Sequence, residues 1–199
     1  MEDPSSEVNL DFQDMADLAN GDDAALNRLM DRHGDLVYRF LVRAVGNEHD
    51  ALDLAQETFV RVYKQRTRFR PGRKFQSWLL TISSNLARDR IRWRRRHSEV
   101  ALPASNEMDA SLSEGTSRPK QPDQITSQNE ESLRVREAVM ALPEDLRLPL
   151  VLFHFHGNSY EEIGQILKCS AKAVDSRLYR AKKLLRERLS PKSKKTEKV

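Results

Sequence analysis

The sequence predicts an all-α protein built from two small helical domains. Apolar residues recur at helical spacing along most of the chain, and strand-like alternation is nearly absent. Glycine and proline are scarce, with 7 and 8 among 199 residues. A stretch poor in apolar residues, 98–132, separates the two helical parts. We therefore expect domains at 1–97 and 133–189, a flexible linker between them, and a disordered lysine-rich tail at 190–199.

The first domain begins with two predicted helices. Apolar spacing predicts a helix over 11–20, which Gly21 ends in a left-handed conformation. Asp22 or Asp23 then caps a second helix that runs to about Val45. The helical period turns the following residues of this helix inward: Leu26, Leu29, Met30, Leu36, Val37, Phe40 and Leu41.

A third helix, predicted from Asp50 to about Gln65, carries acidic and amide groups along its first two turns. These polar groups are Asp50, Asp53, Gln56 and Glu57, and the expected core residues are Leu54, Phe59, Val60 and Tyr63. Acidic residues near a helix N-terminus interact favourably with the helix dipole, and each stabilises the helix by ~0.3–1 kcal/mol. That effect does not explain the glutamine or the position of the cluster ahead of a basic helix. Helix stabilisation and protein docking both remain open interpretations.

The fourth helix, predicted over Phe75–His97, has two different faces. One stripe is apolar and is expected to be buried: Phe75, Trp78, Leu79, Ile82, Leu86 and Trp93. The opposite stripe is polar: Ser77, Thr81, Ser84, Arg88, Arg92 and Arg95. Six arginines lie within 88–96 against Asp89 alone, and guanidinium groups pair well with phosphates. The pattern favours nucleic-acid contact over a merely solvated face, because a solvated face usually carries charges of both signs. Trp93 and Phe69, which arginines surround, are the aromatic residues most readily placed outward.

The linker is acidic, and the second domain follows it. Seven acidic residues stand against two basic ones in 98–132, which fits a solvated tether or an acidic mimic of nucleic acid. Helices are predicted from Leu133 to Leu142 and from Pro143 to Gly157, the second tilted by Pro149.

The end of the second domain has the pattern of a helix-turn-helix. Ser159 and Glu162 form a capping box for a short helix, and Ser170 caps a longer helix that ends at Leu189. A short helix, a tight turn and a longer basic helix suit DNA binding, although non-binding proteins also contain such pairs. The open side of the longer helix carries Lys172, Asp175, Ser176, Tyr179, Arg180 and Lys183.

Several classes of function are disfavoured. The single cysteine excludes an internal disulfide framework, and without a signal peptide the cytoplasm is expected. His154 and His156 are two positions apart on a helix and point in different directions, so they do not form a metal site. Phosphate-loop, GxSxG and HExxH motifs are absent. We expect no enzyme activity, catalytic residue, metal, cofactor or small-molecule substrate.

The chain resembles the extracytoplasmic-function (ECF) sigma factors, dissociable promoter-recognition subunits of bacterial RNA polymerase. Residues 53–59 (DLAQETF) are similar to the family motif D-x-x-Q-E-x-F, and 75–92 match F-x-x-W-L-x-x-I-x-x-N-x-x-x-D-x-x-R. Leu142-Pro143-Glu144, 159–163 (SYEEI) and 176–181 (SRLYRA) match the family's second domain. The resemblance implies a region 2 domain, a helix-turn-helix region 4 domain, and a sigma factor that directs promoter-specific initiation.

The resemblance also implies partners and site residues. The expected partners are core RNA polymerase, through the largest-subunit clamp coiled coil and the flap, promoter DNA, and an anti-sigma factor. Polymerase docking is assigned to Asp53, Gln56, Glu57 and Asp50. Contact with the melted −10 element is assigned to Asn85, Arg88, Arg92, Arg95 and Ser84, with Asn85 near a flipped base. Contact with the −35 duplex is assigned to Lys172, Ser176, Arg177, Tyr179 and Arg180.

One departure and two rival functions stay open. Asp175 stands where the family usually has a basic residue, so either the −35 contacts are unusual or Asp175 accepts from a cytosine amine. A stand-alone helix-turn-helix regulator would explain the second domain but not the acidic Gln-Glu face. A nuclease would need a metal-binding carboxylate cluster on the DNA-facing helix, whereas the acidic cluster lies on another helix.

Overall fold

The architecture is helical throughout the part of the chain that the structure describes. The structure is a computed structural model, and it describes residues 4–70, 72, 74–97 and 122–190. These residues contain no strand, which confirms the all-α class. The elements are α1 (Pro4–Ala19), α2 (Ala24–Val45), α3 (Glu48–Lys64), a 3₁₀ turn (Arg66–Arg68), α4 (Phe75–His97), α5 (Pro122–Met140), α6 (Glu144–His156), α7 (Tyr160–Leu167) and α8 (Ala171–Leu189). The predicted linker up to residue 121 and the tail after Ser190 lie outside the described residues.

Helices α1 to α4 form a bundle with α2 at its centre. Helix α2 packs against α1, α3 and α4, and its Leu29, Phe40 and Leu41 are fully buried. Two residues expected to be inward, Met30 and Val60, are exposed. Each lies at the edge of its apolar stripe, where a small rotation of the helix decides whether a neighbour covers it.

Helix α1 is held on α2 by buried charges as well as apolar contacts. Asp11 and Asp14 are both buried. The carboxylate of Asp11 lies 2.8 Å from His33 Nε2 and 3.1 Å from Arg32 Nε, while Asp14 accepts from Arg28 Nε at 2.5 Å and also from Arg32. Burial by itself would raise the pKa of Asp14, but the hydrogen bonds from Arg32 and Arg28 outweigh it and hold that pKa below its usual value.

Removing the Asp14 carboxylate is expected to loosen α1. Asp14→Ala should lower the free energy of unfolding by about 2 kcal/mol. Arg28 and Arg32 both donate to the Asp14 carboxylate, and the substitution leaves each of them without that acceptor. Urea denaturation at pH 7 measures the change. Asp17→Ala is the matched control, since 39% of the Asp17 side chain is accessible and it lies 3.6 Å from Arg28, and it should change stability by less than about 0.5 kcal/mol. Equal losses in the two variants would contradict this account.

Helices α5 to α8 form the second domain with the caps that the sequence predicts. The capping box is confirmed: Glu162 N donates to Ser159 Oγ at 3.2 Å, and Ser159 N donates to the Glu162 carboxylate at 2.9 Å. Ser170 Oγ accepts from Ala173 N at the start of α8. Pro149 lies inside α6, as expected.

Helix α5 differs from the expectation in two ways. It begins at Pro122, inside the predicted linker, and a proline is well tolerated in the first turn of a helix. Its apolar residues Leu133 and Val135 are exposed, so the apolar positions that predict this helix do not form a fully buried stripe. Helix α5 packs mainly against α8 and α2, which leaves part of its apolar surface exposed.

The two domains pack directly on each other, and we call this packing the closed arrangement. Helix α6 lies against α2, where the His156 ring meets Phe40 edge-on with centroids 5.7 Å apart. The guanidinium of Arg43 lies 4.5 Å above the Phe155 ring. Helix α7 lies against α4. The second domain therefore covers parts of α2 and α4 that the first domain alone would leave open.

Candidate functional site

An acidic face on α3 is the first candidate site. Asp53 and Gln56 are exposed, and Glu57 is half-buried with its carboxylate accepting from Arg61 Nε at 2.9 Å. The three side chains share one face because they lie at i, i+3 and i+4. The opposite face of α3 is buried in the bundle by Leu54, Phe59 and Val62. The fold thus presents a compact acidic surface, which we call the α3 acidic face (Asp53, Gln56 and Glu57).

Asp50 does not belong to this face, so its assignment to polymerase docking is corrected. Its exposed fraction is 7%, and its carboxylate lies 2.8 Å from Arg90 Nη1 and 2.7 Å from Arg94 Nη2. The start of α3 and the end of α4 are neighbours in the bundle, which brings residues forty positions apart into contact. Asp50 is a structural anchor for the arginine-rich end of α4.

The polar stripe of α4 is only partly open. Asn85 and Arg88 are half-buried, and Arg88 Nη1 donates to Asn85 Oδ1 at 3.4 Å. Arg92 is exposed, but its Nε donates to Glu144 Oε1 of α6 at 2.8 Å. Arg95 is exposed. Asn85, Arg88 and Arg92 lie along one side of the helix, so an asparagine amide and two guanidinium groups are aligned.

Ser84 was assigned to the same stripe, and in the closed arrangement it is covered. Its exposed fraction is 0%, and Ser83 and Ala87 beside it are also fully buried. Helix α4 packs against α2 and α3 within the bundle and against α7 in the closed arrangement. With further contacts to α1 and α6, these neighbours cover more of its circumference than a single apolar stripe predicts. Ser84 cannot contact DNA in this arrangement.

Two ion pairs tie α4 and the segment before it to the second domain. Lys74 Nζ lies 2.8 Å from Glu162 Oε1, and Arg92 Nε lies 2.8 Å from Glu144 Oε1. The hydrogen bond from Lys74 is the main reason that the pKa of Glu162 is lowered, with the Ser159 backbone contributing next. The sequence shows both glutamates only as residues near helix starts. Their pairing across domains is visible only in three dimensions.

The helix-turn-helix of α7 and α8 is the third candidate site. Lys172, Ser176, Tyr179 and Arg180 are exposed on α8, with Tyr179 at 71%. Arg177 is half-buried and its Nη1 lies 3.3 Å from Cys169 Sγ, so it sits beside the turn. Asp175 is exposed near the start of α8.

The turn between α7 and α8 depends on Gly164. A Cβ there would lie 2.7 Å from the Cys169 carbonyl oxygen, which is closer than real Cβ contacts. The glycine lets the end of α7 approach the turn, and so fixes how α8 is presented. Sequence reasoning missed this residue, because a glycine inside a helical pattern does not reveal which neighbour approaches it.

Other kinds of site find no support in the described residues. No group of three or more His, Cys, Asp or Glu side chains there could hold a metal ion. None of the described helices combines the length and the apolarity that a bilayer crossing requires.

Comparisons with known proteins point to one family. Residues 29–97 match the family Sigma-70 region 2, and residues 132–185 match the family Sigma-70, region 4. The chain is similar to the ECF RNA polymerase sigma factor SigE of Mycolicibacterium smegmatis, with 38% identity over 181 residues that cover 89% of this chain and 68% of that protein. It is also similar to the ECF RNA polymerase sigma factor SigW of Bacillus subtilis, with 32% identity over 170 residues that cover 85% and 91%.

Two solved structures have a fold similar to that of this chain. The chain is similar to CnrH, whose structure was determined in complex with the cytosolic domain of CnrY, with a TM-score of 0.66 and 28% identity. That match covers 92% of this chain and 99% of CnrH. The fold is also similar to that of the sigma factor RpoE from Bartonella quintana, solved with the anti-sigma factor NepR, at a TM-score of 0.64 over 84% of this chain and 98% of that one, with 22% identity.

Proposed function

This chain belongs to the ECF sigma factors of RNA polymerase, and from that premise we propose which of its surfaces carry out promoter-directed initiation. The observation that carries the proposal is the joint presence, in one chain, of the α3 acidic face, the arginine-rich stripe of α4 and the helix-turn-helix. A stand-alone DNA-binding regulator has no use for the first of these surfaces.

The α3 acidic face is the proposed docking surface for the clamp coiled coil of core RNA polymerase. Asp53 and Gln56 are exposed and Glu57 is partly so, which leaves two carboxylates and an amide for a basic and polar partner surface. Asp50 anchors α4 and is not part of the proposal. The second domain contacts the flap, as the family resemblance implies.

The two DNA-binding surfaces are proposed to read different forms of DNA. Asn85 lies close to an unpaired base of the melted −10 element, while Arg88, Arg92 and Arg95 follow its backbone. The −35 duplex is read by the exposed side of α8, through Lys172, Ser176, Arg177, Tyr179 and Arg180.

The closed arrangement opens before these contacts form. Arg92 is engaged by Glu144, and α7 lies against α4, so the second domain occupies part of the α4 surface that DNA needs. Both ion pairs between the domains involve largely exposed cations and contribute little to stability. Polymerase binding, which separates the domains and frees the arginine stripe, therefore has to replace mainly the packing of α6 on α2 and of α7 on α4.

An anti-sigma factor is proposed to bind between the domains. A cavity of about 510 Å³ lies there, lined by residues of α2, α3, α5 and α6. Its apolar lining includes Val42, Val135, Val139, Met140 and Phe155. Val135 and Phe155 are among the exposed apolar residues, which suits an apolar helix face of a protein partner.

The protein acts in the cytoplasm as an initiation factor and has no catalytic activity of its own. The polymerase to which it binds carries out the chemistry, and the residues assigned here bind and orient. This proposal follows from membership of a transcription-initiation family.

In-vitro transcription tests the assignment. The chain added to core RNA polymerase should yield a promoter-dependent transcript, and Asn85→Ala should reduce it at least about tenfold on duplex promoters but much less on a promoter with a pre-melted −10 element, because the base pocket helps to open the strands. Gln76→Ala, another half-buried amide on α4, is the matched control and should leave transcription unchanged. Absence of any promoter-dependent transcript would end the proposal.

A further inference from the structure

Trp93 is a large aromatic residue that the fold leaves exposed. It lies near the end of α4 with an exposed fraction of 50%, whereas Trp78 on the same helix is buried in the bundle. The apolar stripe includes both tryptophans, and the surrounding arginines make Trp93 the one more readily placed outward. The bundle core ends before Trp93, so neither core packing nor the closed arrangement accounts for this side chain.

The indole of Trp93 is held in a flat stack. Its ring and the His97 ring are nearly parallel, with centroids 4.4 Å apart and planes inclined by 23°. His97 Nδ1 lies 2.8 Å from the Trp93 carbonyl oxygen, which fixes the imidazole over the indole. His97 covers one face of the indole, and half of the residue's surface remains exposed. A second planar group can extend this stack.

The stack lies in a strongly positive part of the surface. Arginines occupy positions 92, 94, 95 and 96. Between Asp89 and the end of α4 at His97 the helix has no acidic residue. The buried carboxylate of Asp50 binds Arg94 at 2.7 Å and Arg90 at 2.8 Å, which holds the helix end firmly. Arg96 is exposed and makes no ion pair with any described residue. A rigid aromatic face among guanidinium groups is the combination that single-stranded nucleic acids bind.

We propose that Trp93 and His97 form a stacking site for an unpaired nucleobase of the melted promoter strand, separate from the base position near Asn85. The inference rests on the proposed function, because it takes the α4 stripe as the path of the strand. Arg96 and its neighbours hold the phosphates while the indole takes the base. Stacking does not select among bases, so this site adds affinity for opened DNA without adding to the promoter code.

The helix sets the distance between the two base positions. Trp93 follows Asn85 by eight residues, which corresponds to about 12 Å along the axis and a rotation of about 80°. The two side chains therefore lie on adjoining sides of α4. At about 3.4 Å per stacked nucleotide, the base on Trp93 should be about three to four nucleotides from the one near Asn85.

Abasic scanning with the reconstituted holoenzyme tests the site. The probe is a single-stranded oligonucleotide of the non-template −10 region, with one abasic position moved along it. Trp93→Ala should weaken binding of the intact oligonucleotide by about 5- to 150-fold, and Trp93→Phe should retain most of the affinity. One abasic position should weaken binding to the unaltered holoenzyme yet have no further effect with Trp93→Ala.

Two further readouts separate stacking from charge and from folding. The dependence of affinity on salt should keep its slope in Trp93→Ala, since no phosphate contact is lost. Phe12→Ala removes another exposed aromatic residue, on α1, and should leave oligonucleotide affinity unchanged. Thermal melting should be the same for Trp93→Ala and the unaltered chain, because the ring is not in the core.

The outcomes are distinguishable. A single abasic position that couples to Trp93 and lies about three nucleotides from the position that couples to Asn85 supports the proposal. If Trp93→Ala binds as tightly as the unaltered chain, or if its loss is the same at every abasic position, the stacking site is wrong while the Asn85 assignment stands. If the unaltered holoenzyme neither binds the oligonucleotide nor transcribes, the proposed function fails and this inference with it.

Discussion

Asp53→Arg is expected to weaken the binding of this chain to core RNA polymerase by at least about 30-fold. The carboxylate is exposed on the α3 acidic face and makes no ion pair with a described residue. A partner surface that complements this face is basic, so the substitution replaces an attraction with a like-charge contact, which costs about 2 kcal/mol or more. Equilibrium titration of labelled core polymerase at constant ionic strength measures the loss.

The fold should not change in this variant. Asp53 lies on the solvent side of α3, and a surface substitution of this kind changes stability by no more than about 0.5 kcal/mol. Asp31→Arg is the matched control, because Asp31 is exposed on α2 and the substitution changes the net charge by the same amount. If both variants lose affinity equally, long-range charge rather than docking at the α3 acidic face is responsible. If Asp53→Arg binds normally, the docking assignment is wrong.

Acidification is expected to open the closed arrangement, through His156. The imidazole lies between the domains against Phe40, and its Nε2 is buried without a hydrogen-bond partner among the described residues. Burial, followed by repulsion from Arg43, lowers the pKa of His156 from 6.5 to about 4. The ring is therefore neutral in the closed arrangement across the physiological range, and protonation favours separation of the domains.

The direction and the pH window follow from that shift. When the domains separate, His156 returns to water with a pKa near 6.5, so the open state binds the proton more readily. The stabilisation of the closed arrangement is complete above about pH 6.5 and is lost as the pH falls towards 4. The full loss is about 2–3 kcal/mol, allowing for screening at the exposed part of the ring, and the closed-to-open ratio falls roughly tenfold by pH 5.5.

Energy transfer between dyes on α3 and α8 measures the opening. Efficiency should fall between pH 7 and pH 5 in the unaltered chain and stay constant in His156→Phe, which keeps an aromatic edge against Phe40 without a titrating group. The hydrogen bond from Lys74 lowers the pKa of Glu162, so Glu162 keeps its charge between pH 7 and pH 5. Its ion pair with Lys74 therefore does not contribute to the pH response. His154→Phe, at an exposed neighbouring position, should behave like the unaltered chain. A pH response that persists in His156→Phe would contradict the assignment.

Both predictions bear on the step from the closed arrangement to a polymerase-bound state with separated domains. In the closed arrangement the α3 acidic face is accessible to solvent. Part of the α4 stripe is covered by α7, and Arg92 is paired with Glu144. On the proposed assignment of these surfaces, the chain can bind polymerase before it can bind DNA fully. A sigma factor built in this way binds opened DNA best after polymerase has separated its domains, because free DNA must first displace the second domain.

The sequence by itself determined the helices and most of their ends. Ser159 with Glu162, Ser170, Gly21 and Gly46 act through neighbours three or four positions away, and such contacts are fixed by the chain locally. It also determined the family, through the motifs in α3, α4 and α8, and the outward position of Asp53, Gln56 and Tyr179, since these lie opposite apolar stripes.

Only the tertiary structure decided which polar residues remain available. Asp50 and Asp53 lie on the same helix and look alike in sequence, yet Asp50 is buried against Arg90 and Arg94 while Asp53 is exposed. Ser84 is covered and Trp93 is not, which reverses the order that the helical period predicts. Periodicity records one preferred inward direction for each helix. How many neighbours cover the helix, and where the core ends along it, depend on contacts between residues far apart in the chain, and local sequence carries no information about these.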